Sequence, residues 1–167
     1  LAPFDDKIHA RRRLDYAIME PAAAERAKNL RELLECSPEL KTQMQSAFEE
    51  GFIEKIEYLP ANAHAGGAFS KDRKSLRLTL DALDHSLFRK NDSELVFTLG
   101  HEVRHALNTP LKDKAIEATL AEAENLAKKP GPTHDYTRIV AKYIQLYRVE
   151  EASAHIAGFN TLVSKLR

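Results

Sequence analysis

Between Thr98 and Asn108 the chain reads TLGHEVRHALN, and inside it His101, Glu102 and His105 form an H-E-x-x-H array. Residues four apart share one face of an α-helix, so both imidazoles can meet a single metal ion. Glu102, about 100° further round, can then reach a water held there. The chemistry suggested is metal-assisted hydrolysis, with side chains to hold an ion and a carboxylate to move a proton. Seven His and sixteen Glu in 167 residues would by independent placement produce such an array in roughly three chains per hundred. The neighbouring residues therefore have to add weight. Ser93 is placed to cap a helix and Glu94 to meet its positive end, while Leu95, Leu99, Val103, Ala106 and Leu107 supply a packing face. Asn108 followed by Pro110 predicts a stop, so the motif helix is expected over 93–108.

A catalytic zinc usually keeps three protein ligands and one open position. Cys36 is the only cysteine, which excludes an intramolecular disulfide and cysteine-rich zinc sites. The third ligand must come from His9, His64, His85, His134, His155 or a carboxylate. The best local pattern is RVEEASAHIAGFN, from Arg148 to Asn160, where Glu151 is followed by Ala154 and His155 on one helical face. Small residues there let a second helix come close enough for a carboxylate to share the metal. Glu151 is favoured, and Glu150, with Ala154 at its own i+4 position, is the alternative. Tyr143 and Tyr147 lie eight and four residues before Glu151 on roughly the same stripe. Tyr147 is thus a candidate donor to an oxyanion, with core packing the competing explanation. His134 is either a mobile oxyanion donor or an exposed loop residue.

These residues together resemble a zinc metallopeptidase of the zincin group, specifically the gluzincin type. The resemblance covers residues from about 66 to 160 and implies His101, His105 and Glu151 as Zn²⁺ ligands and Glu102 as general base and then acid. In several such families the third ligand opens an E-x-x-x-D or E-x-x-A-[DN] pattern. Glu151-Ala152-Ser153-Ala154-His155 is similar, except that His155 stands where an acid or amide is common. That acid would fix the tautomer of a metal-bound His; His155 could instead stabilise a transition state or bind metal itself. The resemblance further implies an edge strand upstream of the motif helix that aligns a peptide substrate, and Ser75–Leu80 lies in that position. The expected activity is that of a metalloendopeptidase. A catalytically inactive peptide-binding or regulatory module and an amidase acting on cell-wall peptides are the alternatives.

The rest of the chain must position these groups. Lys plus Arg and Asp plus Glu each number 25, so no net positive charge argues for nucleic acid, and no apolar run approaches a membrane span. The expected partner is a peptide or protein substrate. A length of 167 residues fits one catalytic domain burying about two thirds of its unfolded surface. N-terminal helices are expected over 1–51, a sheet with its edge strand over 52–82, and C-terminal helices over 111–167. The class is α+β and zincin-like: mainly helical, with a small mixed sheet and an edge hairpin packed on the motif helix.

Arg11 to Arg13, among Asp5, Asp6 and Asp15, read as a solvated helix face. Pro21 opens a helix carrying Leu30, Leu33 and Leu34; Ser37 and Pro38 restart another, which Gly51 ends, with Cys36 an inert small hydrophobe between them. Phe52 to Leu59 is strand-compatible and is closed by Pro60. Gly67 to Ser70, a turn over Lys71–Lys74 and alternating Leu76, Leu78 and Leu80 predict a hairpin with a half-exposed outer strand. Pro130, Gly131 and Pro132 separate helices ending near Lys129 and starting near Thr133. The start at Leu1, without a signal-peptide pattern, suggests an excised domain or processed product, either cytoplasmic or part of a secreted bacterial effector.

Overall fold

The computed structural model describes residues 24–59, 66–79 and 85–167. In chain order these form α1 (Ala24–Cys36), α2 (Pro38–Glu49), β1 (Lys55–Leu59), β2 (Gly67–Ser70), β3 (Ser75–Thr79), α3 (His85–Ala127) and α4 (Thr137–Lys165). Among the described residues the architecture is α+β, mostly helical with a small mixed sheet. The expectations for Arg11–Arg13, Pro21, Pro60 and Leu80 lie outside the described residues.

The N-terminal signals act as their chemistry suggests. Leu30, Leu33 and Leu34 are buried on the inner face of α1. Ser37 caps α2, its Oγ accepting from Leu40 N–H at 3.3 Å and donating to Thr161 O at 2.8 Å, with Pro38 in the first turn. Gly51, at φ +72°, turns the chain out of α2. Cys36 is exposed at the end of α1 rather than packed.

The hairpin forms, but its place in the sheet differs from expectation. β2 and β3 pair antiparallel, with Gly67 opposite Leu78 and Ser70 opposite Ser75, while β1 pairs parallel with β3 from Lys55–Ser75 to Leu59–Thr79. The strand order is β1-β3-β2, so the segment beginning at Ser75 is central and β2 is an edge strand. Leu-Arg-Leu-Thr alternation reports one apolar face, which a middle strand has as much as an edge strand. The other face is also covered: Ser75 and Thr79 are buried, and Ser75 Oγ donates to Glu57 at 2.9 Å.

The second correction concerns Pro110. The predicted stop at Asn108 does not occur, and α3 runs continuously through Pro110 to Ala127. Pro110 has no N–H to offer the preceding turn, yet Thr109 Oγ1 donates to His105 O at 3.1 Å. Helix α4 also braces α3 along its length. Contacts from Val96 to Thr161, His105 to Glu150 and Glu122 to Arg138 run in opposite directions along the two helices, which makes an antiparallel hairpin. The helix begins at His85 rather than at 93, so Ser93 is interior to α3 and accepts from Lys165 Nζ at 3.3 Å instead of capping. Helix α4 starts at Thr137 rather than near Thr133; Asp135 Oδ1 accepts from Thr137 N–H at 2.9 Å and marks the boundary.

The core lies between the N-terminal helices, the sheet and the inner face of α3. Leu30, Leu40, Met44 and Phe48 meet Ile56, Leu76 and Leu78 and then Val96, Leu99, Val103 and Ala106. On another side of α3, small residues admit α4. A Cβ on Gly158 would stand 2.8 Å from Phe97 O, and one on Gly100 would press on the Thr161 side chain. Thr161 Oγ1 occupies that space, 3.1 Å from Val96 O and 2.7 Å from Gly158 O. The motif helix is thereby clamped between a hydrophobic core and a closely packed partner helix. No helix of the described residues is long and apolar enough to cross a membrane.

Candidate metal centre

The α3–α4 crossing brings six titratable side chains together. His101, Glu102 and His105 come from α3, whereas Glu150, Glu151 and His155 come from α4. Ala154, fully buried between them, supplies the small contact that the close approach requires. His101 Nε2 and His105 Nε2 are 2.9 Å apart. The Glu151 carboxylate faces both, with Oε1 3.3 Å from His101 Nε2 and Oε2 3.6 Å from His105 Nε2.

Adjacent carboxylates on α4 point to different places. Glu151 is exposed and turns to the Nε2 side of the imidazoles, while Glu150 is buried on the far side of His105, with Oε1 2.6 Å from Nδ1. Asn108 Nδ2 donates to the same Glu150 oxygen at 3.4 Å, and Lys112 Nζ lies 3.6 Å from Oε2. Burial pushes the Glu150 carboxyl up. The His105 hydrogen bond, the charges of His105 and Lys112 and the Asn108 amide outweigh that and hold it below its ordinary value. An ionised Glu150 can only accept, so His105 donates from Nδ1, and the neutral form of the ring then has its Nε2 lone pair facing His101 and Glu151.

His101 is held below the ordinary histidine range by burial and by the neighbouring His105, against the opposite pull of Glu151. Its Nδ1 is buried without a hydrogen-bond partner. Phe97 and His155 flank the ring instead, with centroids 6.1 and 4.7 Å away. Glu102 is anchored by the sheet: Phe69 N–H donates to Oε2 at 2.7 Å, leaving Oε1 4.0 Å from His101 Nε2. Burial pushes the Glu102 carboxyl up, with the Phe69 hydrogen bond acting against it. That direction suits a group that must take and return a proton.

The donor set fits a divalent first-row ion. Two imidazole nitrogens and carboxylate oxygens converge, with the ligand atoms of His101, Glu102 and His105 all within 4.8 Å of one another, as are those of His101, Glu151 and His155. A His105 protonated on Nδ1 presents its Nε2 lone pair, and a neutral His101 does the same when its proton sits on Nδ1.

The remaining candidates are less central. His155 is exposed, with Nδ1 3.1 Å from the Glu151 carbonyl oxygen and 3.4 Å from its carboxylate. The Tyr147 hydroxyl pairs with that of Tyr143 at 3.0 Å, and its ring lies beneath Lys112 Nζ at 4.9 Å. His134 sits in the α3–α4 turn, with its ring 6.3 Å from that of Tyr136. Sequence reasoning did not identify the Phe69 main-chain anchor, for which no side-chain signal exists. It also missed the grip of Asn108 and Lys112 on Glu150, for which their i, i+4 spacing was an available clue. No protein-family model, no curated protein and no solved structure matches this chain.

Proposed function

We propose that the chain is a zinc-dependent peptide hydrolase of gluzincin-like architecture, with His101, His105 and Glu151 as metal ligands. The observation that carries this is the convergence of two helix-borne Nε2 atoms and the Glu151 carboxylate from the neighbouring helix. When bound, a zinc ion supplies Lewis acidity to a carbonyl oxygen and lowers the pKa of water towards neutrality. The protein side chains do the rest. Glu102, fixed through Oε2 by Phe69, uses its other oxygen to take a proton from the attacking water and later delivers it to the leaving amine nitrogen. Because Phe69 N–H turns to Glu102, the alternation of an antiparallel ladder also turns the Gly67 and Phe69 peptide groups away from β3. With Phe69 N–H committed to Glu102, the Gly67 N–H and C=O and the Phe69 C=O are the edge groups that would align an extended peptide beside the metal.

Glu102→Ala should lower hydrolysis of a mixed peptide library by at least the roughly 10²–10⁴-fold expected for lost acid–base catalysis, with zinc content unchanged. Full cleavage by the zinc-loaded variant would contradict the role of Glu102. A second function is favoured by His155, whose ligand atom lies within 4.8 Å of those of His101 and Glu151. Four protein donors would close the site and make the ion structural, as in a peptide-binding module. Absence of peptide cleavage by zinc-loaded wild-type protein would favour that alternative.

A further inference from the structure

We propose that Glu150 is the positioning residue of this centre, doing for His105 what the gluzincin-like pattern would assign to an acid four residues after the glutamate ligand. The inference rests on the metal-binding role proposed for His101, His105 and Glu151. Position 155 is a histidine, and its Nδ1 is turned to Glu151, so it offers no carboxylate to either imidazole of α3. The acid is found instead immediately before the glutamate ligand. Consecutive residues on a helix are about 100° apart, and here that angle sends the two carboxylates to opposite nitrogens of one ring. Glu151 faces His105 Nε2 at 3.6 Å and Glu150 meets Nδ1 at 2.6 Å.

Glu150 is built for orientation rather than for contact with a substrate. It is buried, and its two oxygens are divided among three partners from α3: His105 and Asn108 at Oε1, Lys112 at Oε2. Those partners span Pro110, so the unbroken course of α3 through that proline is what allows Lys112 to reach the carboxylate. The hydrogen bond selects the Nδ1–H form of His105 and leaves Nε2 free to bind metal before any ion arrives. His101 has no equivalent partner, since its Nδ1 is buried and unpaired. One imidazole is therefore fixed by a charged hydrogen bond and the other only by packing against Phe97 and His155.

Two measurements on the full chain test this. In metal-free wild-type protein at about pH 8, where free imidazole is neutral, ¹⁵N NMR of the His105 ring should show a protonated Nδ1 and an unprotonated Nε2. Glu150→Leu should lose that preference. Zinc affinity, measured by chelator competition, should fall about 10- to 100-fold in Glu150→Gln, a near-isosteric change that keeps the site filled if Glu150→Leu fails to fold. A wild-type His105 protonated on Nε2, or zinc affinity unchanged in Glu150→Gln, would overturn the role of Glu150 while leaving the metal ligands in place. Failure of wild-type protein to bind zinc, with His105 still protonated on Nδ1, would instead overturn the metal site itself and the effect of Glu150 upon it.

Discussion

At the scale of single residues, one helical step separates two carboxylates with different surroundings. Glu151 is exposed and faces both Nε2 atoms, whereas Glu150 is buried behind His105. Their spacing from His105 is almost identical in sequence, so the choice between them could not be made from spacing alone. It depends on the rotational phase of α4 against α3. The aromatic candidate shows the same dependence on packing. Tyr147 lies one turn before Glu151, but its hydroxyl is committed to Tyr143 and its ring to Lys112. Tyr147→Phe should therefore reduce turnover far less than the roughly 10²–10³-fold loss typical when an oxyanion donor is removed. A full loss of that size in steady-state peptide hydrolysis would return Tyr147 to the catalytic group.

At the scale of elements, what could be read from sequence were features whose cause is local. Ser37 and Pro38 start α2, Gly51 ends it, and the polar run Lys71–Lys74 turns the hairpin, because caps and turns are decided by the residues that form them. The helical phase of His101 and His105 is legible for the same reason. Strand order and the continuation of α3 past Pro110 are not, since both depend on partners distant in sequence: β1 beside β3, and α4 along α3. The glycines at the crossing belong to this class. Gly158 is an unremarkable residue of a helix until Phe97 is seen against it. Gly158→Ala should destabilise the fold by about 1–3 kcal/mol, the usual cost of overpacking, read as a lower urea midpoint. An unchanged midpoint would mean that α3 and α4 can separate without penalty.

At the scale of the whole molecule, equal numbers of acidic and basic residues conceal an uneven distribution. Exposed pairs such as Lys71 with Asp113 and Arg138 with Glu122 balance one another on the surface, while acids and imidazoles gather at the α3–α4 crossing. Acid stability should reflect one surface cluster in particular. Hydrogen bonds from Lys55 and Ser75, aided by the charges of Lys55 and Arg73, lower the Glu57 pKa from 4.5 to about 2. A carboxyl lowered by folding contributes stability above its unfolded pKa, and that contribution is lost as pH falls through the folded value. The stability difference between wild type and Glu57→Gln should thus be constant above about pH 5 and shrink progressively on acidification from there towards pH 2. Urea midpoints at modest ionic strength would show it, and a difference independent of pH would exclude this source of acid sensitivity.

The proposed metal centre lies where the sheet edge meets the α3–α4 hairpin, and metal content tests it most directly. Elemental analysis of purified wild-type protein alongside Glu151→Ala should find about one equivalent of zinc in the former and little in the latter, as expected when one of three protein ligands is removed. Wild-type protein without stoichiometric metal, or a Glu151→Ala variant that retains it at unchanged affinity, would contradict the proposed ligand set.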